Sequence, residues 1–187
     1  PYGSSKLAVG QMIGAVAEAR SLAATSLRYF NAACARGRFG KDHHSETYLI
    51  PLVLKAAAGE WEHVDIYGTD YDTRDGTTIR DYIHVEDLGR AHLLALEASG
   101  EGEHRIYNLG NGAGFSVRQV IETAREVTGV NIEAVEEPRW PGDPPMLVAS
   151  NAKIKAELGW KAEKPKLLTM IADAWEWMRN HPRGYGS

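Results

Sequence analysis

Apolar stripes at helical spacing alternate with short β-forming runs along the chain, and this alternation confines it to an α/β fold. Residues 4–20 place Val9, Met12, Ile13 and Val16 on one helical face, with Ser4 or Ser5 as the cap. Ala8, Gly10, Gly14 and Ala15 leave room for another element to come close. Residues 25–31 read as a strand, 48–58 as a helix with Pro51 in its opening, and 64–67 as a strand ending at Gly68. Residues 77–85 set Arg80 among β-formers and lead into a helix whose first turn carries Glu86 and Asp87, acids that suit a helix N-terminus. A strand at 105–109 follows, then a helix opened by the capping-box pair Ser116 and Gln119 and closed by Gly129. The rest reads as a strand at 131–135, a stiff loop at 138–145, a helix capped by Ser150, and a last helix over about 166–180.

Two loops imitate ligand sites. Residues 70–76 are acidic, but Arg74 and Asp75 stand where a calcium loop needs a ligand and a glycine, so the loop reads as a solvated turn. Gly110, Gly112 and Gly114 follow a strand and precede a helix, yet Phe115 occupies the third glycine position of a dinucleotide fingerprint. That loop reads as a structural link. His43 and His44 are adjacent, so their side chains diverge, and no third metal ligand is placed with them.

Length and charge exclude several functions. At 187 residues the chain is one domain or slightly more, and 43% hydrophobic content can supply a real core. A net charge of −4 gives no basic footprint for nucleic acid. No apolar run is long enough for a membrane helix. Cys34 is the single cysteine, which favours a reducing, cytoplasmic setting and reads as a small filler in a tight turn.

The chemistry sits at the start. Tyr2 and Lys6 are four apart at the head of the first helix, so they share a face. A phenol beside an ammonium is a proton-transfer pair, because the positive charge favours the phenolate. The spacing alone is equally common on solvated helix faces. The chain begins at Pro1, within this motif, and is expected to be the back part of a longer protein.

The order of motifs resembles the C-terminal portion of the UDP-glucose 4-epimerases, within the extended short-chain dehydrogenase/reductase family. The resemblance runs through Tyr2-Gly3-Ser4-Ser5-Lys6, Leu27 to Asn31, Leu49-Ile50-Pro51, Ile66 to Tyr71, Asp75-Gly76, Arg80 to Leu88, Tyr107 to Gly110, Gly142-Asp143 and Glu157 to Trp160. It implies the back part of a Rossmann-like NAD(P)-binding fold plus a small α/β substrate-binding domain, with the N-terminal dinucleotide-binding strands missing. Residues 1–33 would be the remnant of the NAD-binding domain and 34–187 mainly the UDP-sugar-binding domain, with 77–115 partly returning to the former.

The implied activity is NAD-dependent interconversion of UDP-glucose and UDP-galactose through a 4-keto intermediate, a step of galactose metabolism. Tyr2 would take the proton from the sugar 4-hydroxyl, Lys6 would hold the nicotinamide ribose and lower the Tyr2 pKa, and Phe30 would lie beside the nicotinamide. Asn31, Leu49, Ile66 and Tyr67 match substrate-binding positions, with Tyr67 against uracil. Arg80 matches a diphosphate-binding arginine, Asp143 a ribose-hydroxyl acceptor and Leu147 the gate for sugar size. The family usually has two arginines before Gly142-Asp143; here they are Arg139 and Trp140, so either Arg139 would swing in to replace the lost cation or affinity for the diphosphate would fall. Cys34 stands where a glycine is usual. The full-length protein is expected to be a homodimer joined through the first helix, and the chain alone is expected to have no turnover. A non-catalytic nucleotide-sugar-binding module, or another nucleotide-sugar epimerase or dehydratase, are the alternative readings.

Overall fold

The computed structural model describes residues 2–43 and 45–186, so Pro1, Ser187 and the expectation for His44 lie outside it. Its elements, in order, are α1 (Tyr2–Arg20), β1 (Ala24–Tyr29), β2 (Asn31–Ala33), α2 (Leu49–Ala57), β3 (Val64–Tyr67), β4 (Ile79–Arg80), β5 (Tyr82–His84), α3 (Val85–Glu97), β6 (His104–Leu109), β7 (Phe115–Ser116), α4 (Val117–Thr128), β8 (Ala134–Glu137), β9 (Met146–Leu147), α5 (Ala152–Leu158) and α6 (Leu167–Asn180). The α/β alternation holds throughout.

Pairing is mostly parallel: β1 with β6, β2 with β5, and β3 with β8, while β4 lies between antiparallel β7 and parallel β9. The expected single strand at 25–31 is two. After Tyr29 the chain changes partner: the Phe30 amide bonds the Leu109 carbonyl, and the Asn31 amide bonds that of Asp81. The expected strand at 131–135 begins only at Ala134, because Ile132 is instead buried in the core and its carbonyl accepts from the Arg125 guanidinium.

Two hydrophobic cores form. One gathers Ile83, Ala91, Tyr107, Leu109, Ile154 and Trp160 around β5, β6, α3 and α5. The other packs α2, α4 and α6 over β3, with Val53, Leu54, Val120, Ile121, Met170 and Ile171 at its centre. Each fully buried Leu or Ile contributes on the order of 1.5–3 kcal/mol. The indole N–H of Trp160 donates to the Asp87 carbonyl, and the Asp87 carboxylate accepts from the amides of Glu163 and Lys164, which fastens the segment before α6 onto α3.

Helix starts follow local chemistry in some places and depart from it in others. Ser116 and Gln119 form the full capping box, and Gly129 closes α4 with φ 70°. Neither Ser4 nor Ser5 caps α1, which already runs through them; the Ser5 hydroxyl donates to the Tyr2 carbonyl. Ser150 does not cap α5 either. The preceding position belongs to Asn151, whose side chain reaches away to bond both the amide and the carbonyl of Gly110.

The 70–76 loop is not the solvated turn that its composition suggests. Tyr71 is buried, and the Asp75 carboxylate accepts from the Thr77 amide, the Thr77 hydroxyl and the Ser116 hydroxyl. Burial pushes the Asp75 carboxyl up, but these donors outweigh it and hold it below the usual range. A lowered native pKa means that the contribution is full above the unfolded value of ~3.9 and is lost as pH falls through the lower native value. Urea midpoints of the unaltered chain and of Asp75→Asn are expected to differ near neutral pH and to converge as pH falls through the lowered native value.

The C-terminal tail folds back on the first long loop. The Tyr185 hydroxyl bonds both the amide and the carbonyl of Gly40, and the Tyr185 amide bonds the Asp42 carboxylate. The Trp177 ring lies so close against Gly40 that a side chain there would collide with it.

Candidate functional site

α1 runs antiparallel to the β1–β6 pair. Gly14 faces His104, near the start of β6, while Gly10 faces Arg28, near the end of β1. The N-terminal turn of α1 therefore lies at the carboxyl ends of the parallel strands, the edge at which open α/β sheets bind ligands. Tyr2 is 77% exposed there, and the Lys6 ammonium lies 5.4 Å from the centre of its ring. Along the same helix Val9, Met12 and Val16 remain exposed, and with Ile13 and Leu22 they line a shallow apolar groove.

Phe30 and Asn31 leave the same strand ends. The Asn31 amide side chain donates to the Asp81 carbonyl at 2.8 Å, which sets it beside the Arg80-Asp81-Tyr82 segment. The Arg80 guanidinium donates to the Asp143 carboxylate at 2.6 Å and to the Ile79 carbonyl at 2.8 Å. Arg80 is also the strand partner of Leu147. Asp143 ends a turn whose first residue is Trp140, and the Trp140 ring meets that of Tyr67 edge-on, 5.3 Å between centres. Arg80 and Asp143 are thus joined through the 140–143 turn to Trp140 and Tyr67, with Leu147 beside Arg80 in the ladder and Asn31 bonded to the carbonyl of the next residue, Asp81.

The other expected residues stand differently. Leu49 is the first residue of α2, after Tyr48, whose side chain makes no cap bond and instead carries Lys41 over its ring. The Ile66 side chain is buried in the core, so only its backbone can reach a ligand. Arg139 does not swing toward Arg80. Its guanidinium bonds the Asp70 carboxylate and lies over the Tyr71 ring, 4.1 Å from its centre. That guanidinium holds Asp70 below the usual carboxylate range.

Asp81 was not anticipated as a site residue. It is fully buried, and its carboxylate accepts from the amides of Asn111 (2.7 Å), Gly112 (2.9 Å) and Ala149 (3.0 Å). The glycine loop's amides are thereby turned onto the chain's own carboxylate, in the way a phosphate is held elsewhere. A Cβ at Gly110 would collide with Asp81. The loop is the structural link that its missing third glycine implies. The available signal was an acid set in the middle of a β-forming run, where only a satisfied carboxylate is tolerated.

His84 was also missed. It is buried and accepts from the Glu86 amide at the start of α3, which leaves its other nitrogen to donate to Asp173. With that acceptor spent on the helix, His84 cannot activate Cys34. Desolvation pushes the Cys34 thiol well above its ordinary range. Its φ of 77° is the left-handed conformation that favours glycine, which accounts for the residue usual at this place. Among the described residues no cluster of three or more His, Cys, Asp or Glu side chains could hold a metal, and no helix is long and apolar enough to cross a membrane.

Comparison with known proteins agrees with this architecture. A UDP-glucose 4-epimerase of Halalkalibacterium halodurans is 50% identical over 190 residues, covering 100% of this chain and 57% of its own length. One of Corynebacterium glutamicum is 53% identical, covering 93% of this chain and 53% of its own length. The crystal structure of the Bifidobacterium longum UDP-glucose 4-epimerase, in complex with NAD+ and UDP, superposes with a TM-score of 0.91 at 40% identity, over 99% of this chain and 56% of that one. The chain spans somewhat more than half the length of the curated relatives it matches. The sequence pattern of the NAD dependent epimerase/dehydratase family matches residues 1–110, and the chain belongs to that family.

Proposed function

We propose that this chain is the UDP-sugar-binding portion of a UDP-glucose 4-epimerase, acting with NAD in the complete polypeptide to interconvert UDP-glucose and UDP-galactose in galactose metabolism. The observation that carries the reading is the patch in which Arg80 and Asp143 sit beside the exposed faces of Tyr67 and Trp140. An arginine fork suits a diphosphate and a flat aromatic face suits a base. When diphosphate takes the Arg80 guanidinium, the Asp143 carboxylate is released and can accept from ribose hydroxyls. Leu147, half exposed beside Arg80, offers the sugar an apolar wall without directional bonds.

Tyr2 and Lys6 fit a nicotinamide cofactor because they stand exposed together at the carboxyl ends of the parallel strands. NAD would supply the hydride acceptor and donor for the sugar carbon. Tyr2 takes the proton from the 4-hydroxyl and returns it, and the Lys6 charge stabilises the phenolate between those events. Phe30 and Asn31, at the strand ends, line the approach. The two cores support an NAD-side lobe built on β1, β5 and β6 and a UDP-sugar lobe built on α2, α4 and α6. The exposed stripe of α1 supports a homodimer joined through that helix.

Calorimetric titration with UDP tests the reading. The unaltered chain is expected to bind, and Arg80→Ala to bind about 10–100-fold more weakly, as one charge-assisted contact is lost. Absence of heat from the unaltered chain at millimolar UDP would overturn the proposal and with it the non-catalytic module reading.

A further inference from the structure

Trp140 stands in a place where an indole has no evident structural work. It is 61% exposed, and its one aromatic neighbour among the described residues, Tyr67, is itself 42% exposed. We propose that Trp140 is a specificity-determining residue: it forms the second wall of the base-binding corner opposite Tyr67, and it moves ligand affinity from the phosphates toward the base. This rests on the uridine-nucleotide reading above.

The geometry of the turn makes the wall rigid. The Trp140 carbonyl accepts from the Asp143 amide, with Pro141 and Gly142 between them, and Gly142 has φ 80°. Proline second and a left-handed glycine third are the residues that a type II turn requires. The indole and the Asp143 carboxylate therefore leave one stiff four-residue platform, held by the turn itself whether or not Asp143 is paired with Arg80. Tyr67 is steadied as well, since its hydroxyl donates to the Asp65 carboxylate at 3.1 Å. The two rings meet at an interplanar angle of 89°, so each keeps a face open to solvent. A flat heterocycle entering that corner stacks on one ring and meets the edge of the other, both favoured aromatic arrangements.

The cation next in sequence is not placed to compete for this role. Arg139 bonds Asp70 and covers Tyr71, so residues 139–143 present to a ligand an aromatic surface and a carboxylate. A ligand with a base at one end and a diphosphate at the other satisfies the corner and Arg80 together. Inorganic pyrophosphate gains the second contact only.

The test compares the unaltered chain with Trp140→Ala and Trp140→Phe by calorimetry with UDP, with inorganic pyrophosphate as the control ligand at low salt. Trp140→Ala is expected to weaken UDP binding about 5–50-fold, the range for removing one base-stacking side chain. Trp140→Phe is expected to bind within roughly threefold of the unaltered chain, because a flat wall is kept. The response to pyrophosphate should be the same for all three proteins. UDP binding unchanged in Trp140→Ala, or Trp140→Phe no better than Trp140→Ala, overturns the role of Trp140 while leaving the uridine-nucleotide reading intact. An unaltered chain that fails to bind UDP overturns both.

Discussion

Asp81→Ala is expected to lower the unfolding free energy by about 3–5 kcal/mol, enough to threaten the fold of a typical domain. The Asp81 carboxylate is the shared acceptor for the amides of Asn111, Gly112 and Ala149, from two loops far apart in sequence. Deleting it leaves those donors without their acceptor in a buried place, each costing roughly 1–3 kcal/mol before any water enters. Asp81→Asn keeps one acceptor oxygen and introduces two donors with nothing to bond, so it is expected to fall between alanine and the unaltered chain. Urea unfolding followed by tryptophan fluorescence measures the difference. A loss below about 1 kcal/mol would mean that water replaces the carboxylate without strain. The site has a stake in the result, because Asp81 separates Arg80 from Tyr82 and its carbonyl holds Asn31.

Tyr2→Phe in the complete polypeptide is the larger functional prediction. The proposed interconversion of UDP-glucose and UDP-galactose is expected to fall by about 10²–10⁴-fold in kcat, the usual share of a positioned general acid–base. UDP affinity should stay where it was, since Tyr2 lies on α1 and Arg80, the proposed diphosphate contact, lies on β4. Lys6→Met should keep part of the rate, because the phenol stays in place while the charge that forms on it in the reaction loses a positive neighbour. Turnover in Tyr2→Phe within tenfold of the parent would remove the phenol from the chemistry.

Local signals made the element types legible. The apolar stripes of α3, α4 and α6 and the capping box at Ser116 fix those helices without help from the rest of the molecule. The α1 stripe gave the helix, though in the structure it faces outward and only Ala17 of that helix is buried. What sequence does not carry is which strand pairs with which. Residues 25–31 look like one strand because Thr25, Tyr29 and Phe30 are β-formers with no glycine or proline between them, and only the change of partner at Phe30 divides them. β7 and β9 are two residues each, too short for any period, and exist because β4 lies between them.

Motif order named the candidate residues, and their geometry was not legible in it. Arg80, Asp143, Leu147 and Tyr67 were expected together and are joined through the ladder and the 140–143 turn. Of the two outcomes expected for Arg139, an inward swing or weaker diphosphate binding, the structure shows no swing, because Asp70 and Tyr71 hold its guanidinium. Trp140 read in sequence as the loss of a cation; its contact with Tyr67 exists only once β3 and the 140–143 turn have been brought together.

The tail that hooks onto Gly40 sets an order of assembly. Gly40 and Tyr185 are 145 positions apart, and so distant a contact gains nothing until the elements between them have packed. The hook is therefore expected to close late in folding. Held at exposed polar contacts, it is also the first part to let go when the native molecule breathes.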